Sequence, residues 1–318
     1  MKLRVAVLYG GRSGEHEISI RSAKSIMAGL DPERYEVVPY FISKEGKWDP
    51  RPILPEPGSN EGIDVVFPVL HGTFGEDGTM QGLLELAGLP YVGPGVLGSA
   101  AAMDKDMMKR IFRDRGLPVV EYVLAGATPD FDYPMFVKPA NLGSSVGISK
   151  VKNAAELAAA LEDAKQYDSK VIVERGIVGR EFECAVLGNA SPEASIPCEI
   201  IPSREFYDYE DKYLLDKAKT KLPADLEPHQ MDEMRRLAVE AFRAIECEGM
   251  SRVDFLMESA TGLMYINEIN TIPGFTSISM YPKMWEYSGV PFGALLDRLI
   301  ALAIDRHRIR QSKKYSRT

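Results

Sequence analysis

The residues Met264 to Ser279, MYINEINTIPGFTSIS, admit few conformations. Their first seven alternate as a strand half-exposed to a site would. That period sets Ile266, Glu268 and Asn270 on one face and Tyr265, Asn267 and Ile269 on the other. Thr271-Ile272-Pro273-Gly274 then ends the strand in a turn. Upstream, Met250 to Leu256 reads as a second strand with Arg252 and Asp254 on one face, joined by a hairpin-length loop, Ser259 to Leu263, that contains a glycine. Folding about Thr261 places Asp254 opposite Glu268 and Arg252 opposite Asn270. Two carboxylates, an amide oxygen and a guanidinium then share one patch. A few hard oxygen donors suit Mg²⁺ completed by phosphate oxygens and water. A surface ion-pair ladder uses the same residue types, and the hairpin alone does not separate the two.

The N-terminal third has a different rhythm. Leu3 to Leu8 is an apolar strand, Gly10-Gly11-Arg12-Ser13-Gly14 a loop, and Ile18 to Leu30 a helix that stops at Asp31-Pro32. Val37 to Ile42 and Val65 to Leu70 are further strands, the latter running into His71-Gly72-Thr73-Phe74-Gly75-Glu76-Asp77-Gly78, with a helix from Thr79 to Ala87. Strand–helix–strand order predicts a parallel sheet flanked by helices, with ligands at the carboxyl ends of the strands, where both glycine loops lie. The first loop does not meet G-x-G-x-x-G, because Tyr9 precedes Gly10. Glu15 falls at the start of the first helix, where an acid also complements the helix dipole.

Pro90 to Gly98 reads as a linker, followed by a helix from Ser99 to Arg115 that carries Lys105. Phe136-Val137-Lys138-Pro139 is a strand whose lysine interrupts an apolar run, and Gly143-Ser144-Ser145-Val146-Gly147 leads into a returning strand, Ile148 to Val151. Such a loop can turn several N–H groups and hydroxyls toward one anion, although an ordinary flexible turn has the same composition. Asn153 with Glu156 caps a helix to about Tyr167, and Val171 to Arg175 is a strand. No G-x-x-x-x-G-K-[ST] occurs, so any nucleotide site is not a P-loop. Further on, Glu181 to Leu187 and Glu199 to Ile201 are strands, and Phe206 to Tyr213 is a polar-aromatic loop able to fold over a site. Pro228 to Glu246 and Val290 to His307 are amphipathic helices.

Composition excludes several classes. A net charge of −8 over 318 residues argues against a general nucleic-acid binder, the basic stretch Arg306 to Arg317 notwithstanding. Three scattered cysteines, Cys184, Cys198 and Cys247, have no metal-ligand spacing and fit a reducing cytoplasm. No run approaches the roughly 18 apolar residues of a membrane span, and glycine interrupts MKLRVAVLYGG too early for a signal peptide.

Taken together, the lysine pair Lys105 and Lys138, the Gly143 to Gly147 loop and the Asp254…Glu268-x-Asn270 set resemble the ATP-grasp fold, and within it the D-alanine–D-alanine ligase family. The resemblance also includes Gly10 to Glu17, His71-Gly72 with Gly75 to Gly78, Met103-Asp104-Lys105, Phe206 to Tyr213, Arg252-Val253-Asp254 and Pro273-Gly274. It implies a mixed α/β architecture of three domains, residues 1–98, 99–175 and 176–318, with ATP held between the central and C-terminal ones. In that family's pattern Lys105 and Lys138 bind ATP phosphates under the glycine-loop amides and Ser144, Ser145 and Lys212 also belong to the ATP site, Glu174 and Ile177 hold adenine through backbone atoms, and Glu181 takes the ribose. Asp254, Glu268 and Asn270 carry two Mg²⁺, with Mn²⁺ as a substitute. Glu15 takes the ammonium of the first D-alanine and His71 lies near its carboxylate; Arg252 and the Gly274 N–H form an oxyanion site; Ser279 and Met280 meet the second D-alanine. Arg175-Gly176-Ile177 departs from the Lys-x-Leu common in relatives, which is neutral where only backbone atoms act.

The implied reaction activates one D-alanine as an acyl phosphate and attacks it with the amine of another. The implied setting is a cytoplasmic homodimer with small-molecule substrates, no nucleic acid and no membrane. Tyr213 is expected to bond Glu15 and Ser144 and to favour D-alanine over D-lactate as second substrate. A related ligase with another second substrate, or a nucleotide-binding regulator, are the rival expectations. The complete set of lysines, acids and Arg252 speaks against the regulator.

Overall fold

The structure, a computed structural model, describes residues 2–144, 146–201 and 219–314. Ser145, Lys212, Tyr213 and the whole Phe206 to Tyr213 loop lie outside the described residues.

The first sheet is built from β1 (Leu3–Gly10), β2 (Tyr35–Ile42), β3 (Trp48–Asp49) and β4 (Val65–Pro68) in the order β3-β2-β1-β4. β1 pairs in parallel with β2 and β4, as strand–helix–strand order requires. Helix α1 (His16–Gly29) turns Ile18, Ser22, Ala23 and Ile26 inward, an i, i+4, i+5, i+8 stripe that covers β1. α2 (Thr79–Leu86) follows β4.

The next stretch corrects two expectations. Pro90 to Gly98 is not a loose linker: Tyr91 bridges in parallel to Val66 and is buried, and α3 (Val96–Met103) starts inside the segment. The single helix expected from Ser99 to Arg115 is broken at Asp104, whose backbone is extended. The Asp104 carboxylate accepts the N–H groups of Asp106 and Met107 at 3.1 and 3.0 Å and so opens a new helix, α4 (Lys105–Asp114). A short acid that satisfies two unpaired first-turn donors competes well with helix continuation.

The second sheet orders β5 (Tyr122–Leu124), β6 (Met135–Pro139), β7 (Ser149–Val151) and β8 (Val171–Arg175) as β5-β8-β6-β7, all antiparallel. Asn153 caps α5 (Ala154–Ala164) by accepting the Glu156 N–H at 3.0 Å. The third sheet runs β12-β11-β9-β13-β14, with β10 on β9. Its strands are β9 (Gly179–Gly188), β10 (Glu193–Ala194), β11 (Cys198–Ile201), β12 (Lys219–Lys221), β13 (Gly249–Glu258) and β14 (Met264–Asn270), joined by α6 (Pro228–Ala244) and followed by α7 (Met280–Tyr287) and α8 (Phe292–Gln311).

The β13–β14 register places Asp254 opposite Glu268 and Arg252 opposite Asn270, as the sequence predicted. It does so through a bulge. From the loop outward the pairs are Met257–Met264, Leu256–Tyr265 and Phe255–Ile266, and one extra residue, Asn267, then restores the expected register. The strict alternation therefore fails at one point. Ile266 and Ile269 both enter the core, while Asn267 and Glu268 both line a cavity.

The largest core cluster unites distant parts of the chain. Val5, Val7 and Phe67 of the first sheet pack with Phe275, Tyr281 and Trp285 and with the inner face of α8. Tyr35 donates to Asp297 at 2.7 Å across the same seam. The first sheet and the turn after β14 are thereby held in one frame. Among the described residues no single helix is long and apolar enough to cross a membrane.

Candidate active site

Two cavities lie between these sheets. The larger, about 400 Å³, is lined by Lys105, Lys138, Glu174, Ile177, Glu181 and Asp254 among others. The smaller, about 150 Å³, is lined by Glu15, His71, Arg252, Asn270, Gly274, Ser279 and Met280. Gly143, Ser144, Glu183 and Glu268 border both.

The wall of the larger cavity is electrostatic. Lys138 donates to Glu174 at 2.5 Å from the neighbouring strand β8, and lies 3.5 Å from the Asn267 amide oxygen. Behind Glu174, Lys109 of α4 sits 2.6 Å from its other oxygen, with both side chains 1% exposed. Burial penalises the Glu174 charge, but the two ammonium groups outweigh it and hold the carboxyl below its ordinary range. Lys105, one helical turn before Lys109, donates to the Leu142 carbonyl at 2.7 Å and lies 3.9 Å from Glu268.

Where the cavities meet, the third sheet presents a row of acids. Asp254 lies between Glu183 on β9 and Glu268 on β14. Arg252 forks both oxygens of Asp254 at 2.6 Å and approaches Glu183 at 3.3 Å. The Asn270 amide donates to Asp254 at 3.0 Å, which turns its carbonyl oxygen away from that bond. No group of three or more His, Cys, Asp or Glu among the described residues has metal-holding geometry. The side chains that offer hard oxygen donors at this junction are the carboxylates of Glu183, Asp254 and Glu268 and the amide of Asn270.

The smaller cavity is framed by loops from opposite ends of the chain. Ser144 donates to Glu15, which joins the 143–147 loop to the start of α1. Glycine is required around that acid. A Cβ on Gly72 would come within 2.7 Å of Glu15 Oε2, and Gly72 has a φ of +72°. His71 is buried with both ring nitrogens bonded, one to Ser22 Oγ at 3.1 Å and one to the Ile272 carbonyl at 3.0 Å. Burial lowers its pKa, so it is neutral near pH 7. Glu76 clamps the same turn from the other side, accepting the N–H groups of Gly72 at 2.6 Å and Ile272 at 3.0 Å. Burial first, and then Glu15, pushes its carboxyl up to about 8. Gly274 is pressed so close to Ser279 that an added Cβ would lie 2.7 Å from the serine hydroxyl.

Every described site residue expected from the sequence thus lines one cavity or the other. Five were missed. Lys109 had a readable signal, the i, i+4 spacing from Lys105, and Glu183 alternates with Glu181 on β9. Glu76 was noticed only as part of a glycine loop. Asn267 was hidden by the bulge, and Lys283, also on the smaller cavity, has no motif around it.

Comparison with known proteins gives this geometry a family. The profile for the D-ala D-ala ligase N-terminus matches residues 4–61 and 50–94, and that for the D-ala D-ala ligase C-terminus matches residues 110–301. A D-alanine–D-alanine ligase of Solibacter usitatus is 68% identical over 100% of both chains, and one from a Thermoanaerobacter species is 50% identical over 96% of this chain and 98% of its own. Among solved structures, the D-alanine–D-alanine ligase from Coxiella burnetii superposes with a TM-score of 0.87 at 42% identity, covering 98% of this chain and 96% of that one. The VanG D-Ala:D-Ser ligase from Enterococcus faecalis superposes with a TM-score of 0.86 at 35% identity, covering 95% and 100%. Similarity at this level over the full length, together with two cavities that meet at an acidic row, leaves one conclusion: the chain belongs to the D-alanine–D-alanine ligase family, with its ATP-grasp fold.

Proposed function

We propose that the protein joins two D-alanines into D-alanyl-D-alanine at the expense of ATP, a precursor step of peptidoglycan synthesis. The observation that carries this reading is the junction of the two cavities at Ser144, Glu183 and Glu268. A nucleotide in the larger cavity would direct its terminal phosphate toward an amino acid in the smaller one.

The carboxylate of the first D-alanine attacks the γ-phosphorus, and ADP leaves. Positioning and charge neutralisation supply most of the catalysis for such a transfer. Lys105 and Lys138 face the phosphates, and the Gly143–Ser144 loop, with Ser145 and Lys212 in the family pattern, covers them. Adenine lies against the Glu174 to Ile177 segment and the ribose at Glu181. The oxygen donors of Asp254, Glu268 and Asn270 fit hard divalent cations, two Mg²⁺ or Mn²⁺ in the family pattern. When bound, the cations neutralise the phosphate oxygens.

Glu15 holds the first ammonium. His71, neutral and fully bonded, acts by fixing Ile272 rather than by moving a proton. The second amine then attacks the acyl carbon, and phosphate departs. Arg252 and the Gly274 N–H face the developing oxyanion, an interaction commonly worth ~3 kcal/mol per donor. Ser279 and Met280 border the second amino acid.

The three sheets lie within residues 1–98, 99–175 and 176–318, which we take as the three domains. A cytoplasmic homodimer completes the reading, and sedimentation would test the oligomeric state. D-alanine-dependent release of ADP tests the function. D-alanine carrying ¹⁸O in its carboxylate must transfer label into released phosphate, and unlabelled phosphate would exclude the acyl-phosphate route.

A further inference from the structure

The chain leaves the second sheet and enters the third through residues 176–178, between β8 and β9. On the reading above, which this inference presupposes, adenine lies against this crossover. Backbone groups select a base only while their spacing is fixed, and the crossover is pinned at both ends. The Gly176 N–H donates to the Pro134 carbonyl at 2.8 Å, and a Cβ on Gly176 would lie 2.5 Å from that oxygen. The Ser259 N–H donates to the Val178 carbonyl at 3.0 Å.

Arg175, the last residue of β8, spans the crossover with its side chain. On its own sheet, Nε donates to Glu121, next to β5, at 2.7 Å. Toward the third sheet, Nη1 donates to Glu258 at the end of β13 at 2.7 Å, and Nη2 to the Tyr265 hydroxyl on β14 at 3.2 Å. The guanidinium carbon stands 5.5 Å from the centre of the Tyr265 ring. The Arg175 side chain is 23% exposed and that of Glu258 16%, against 57% for Glu121. The contact that crosses to the third sheet is therefore the better shielded from water and salt. Thr261 Oγ1 donates to the other Glu258 oxygen at 2.7 Å and keeps that acid in place. A lysine ammonium is one point on a flexible stem, whereas a planar guanidinium bonds two acids and a hydroxyl in fixed directions. The residue type at position 175 thus matters even where backbone atoms meet the base.

We propose that Arg175 is a positioning residue for the nucleobase, a latch from β8 to the β13–β14 hairpin that fixes the adenine end of the larger cavity. The ligand class is a purine nucleoside triphosphate. Arg175 acts through the backbone of residues 174–177 rather than by touching the base. The property it confers is selection of a 6-aminopurine over a 6-oxopurine.

The test compares ATP with inosine triphosphate, which keeps the ribose and phosphates and replaces the 6-amino group by a carbonyl. kcat/KM is measured for each nucleotide with D-alanine saturating. Their ratio cancels any loss of active enzyme, so a merely structural role for Arg175 would lower the thermal midpoint and leave the ratio alone. Arg175→Met should lower the preference for ATP by about fivefold or more, and raise the KM for ATP without raising that for D-alanine. Glu258→Gln, which removes the acid across the seam, should lower the preference in the same direction, and Arg175→Lys should fall between Arg175→Met and the parent. Glu121→Gln, exposed and on the same sheet, should stay within about twofold of the parent. Ratios within about twofold of the parent's in both Arg175→Met and Glu258→Gln would overturn the proposal, as would a parent that uses the two nucleotides equally. A parent that releases no ADP with D-alanine would instead overturn the functional reading beneath it, and the two failures are therefore distinct.

Discussion

Lys109→Met probes how the larger cavity is held together. The substitution keeps an unbranched chain of similar volume and deletes an ammonium 2.6 Å from Glu174. At an effective dielectric constant of about 20, a pair at that distance has roughly 6 kcal/mol of gross Coulomb attraction. The variant also no longer bears the desolvation of Lys109 itself, several kcal/mol for a buried ion. Glu174 keeps its 2.5 Å bond to Lys138, so it is not left alone. The net loss is then about 2–3 kcal/mol, less than the ~3–5 kcal/mol seen when a buried charge loses its last partner. With an unfolding entropy of roughly 2 cal/mol/K per residue, a chain of 318 residues shifts by about 1.5 °C per kcal/mol, so the calorimetric midpoint should fall by about 3–5 °C. Glu174→Met should be worse, because it strands Lys109 in the core. Adding Lys109→Met to it should recover stability, a non-additivity that only a direct pair produces. Lys138, drawn wholly to Glu174 in Lys109→Met, should present less charge to the nucleotide. The KM for ATP would then rise several-fold with little change for D-alanine. A Lys109→Met midpoint equal to the parent's, or a double variant no more stable than Glu174→Met, would refute the reasoning.

Three further outcomes follow from the site. Glu268→Gln should lose most turnover while keeping its circular dichroism, because a carboxylate of the cation set is gone; near-normal turnover would remove Glu268 from that set. Gly274→Ala should raise the KM for D-alanine at roughly 1–3 kcal/mol of overpacking, since the new Cβ would meet a Ser279 hydroxyl held by Thr276 at 3.0 and 2.8 Å; unchanged D-alanine kinetics would separate this turn from the substrate. His71, its pKa lowered by burial, refuses a proton that the unfolded chain accepts below about pH 6.5, so its contribution is present above that pH and is lost as pH falls toward the folded value. The thermal midpoint of His71→Asn should therefore depend less steeply on pH between about 5 and 6.5 than the parent's, and equal slopes would contradict that.

Much of the site was legible because its side chains follow local rules. Glycine loops after apolar strands drew attention to the segments around Glu15, His71 and Ser144, while the roles expected of these residues came from the family resemblance. A hairpin of suitable loop length brought Asp254 and Glu268 together, and a lysine in an apolar strand marked Lys138. What escaped depends on local competition or on neighbours far along the chain. Asp104 gives its carboxylate to two N–H groups and breaks a helix that periodicity alone would continue. The bulge at Asn267 turns one residue of β14 and leaves Ile266 in the core, although the pattern of alternating residue types is unbroken.

Period, punctuation and charge are properties of neighbours in the chain, and they determined the strand–helix rhythm, the parallel β2-β1-β4 part of the first sheet, to whose edge β3 adds antiparallel, and the pairing of Asp254 with Glu268. The ionic contact of Lys109 with Glu174 spans 65 positions and joins helix α4 to strand β8 of the second sheet. The clamp of Glu76 on Ile272 spans 196 positions, and the approach of Ser144 to Glu15 spans 129. Such contacts require the chain to return to the same place, and only packing decides where it returns. Core burial along Phe67, Phe275 and Tyr281 brings the first sheet against the turn after β14. Buried polar groups at that seam must find partners once water is excluded. Tertiary structure, by that exclusion, bonded both His71 nitrogens and raised Glu76.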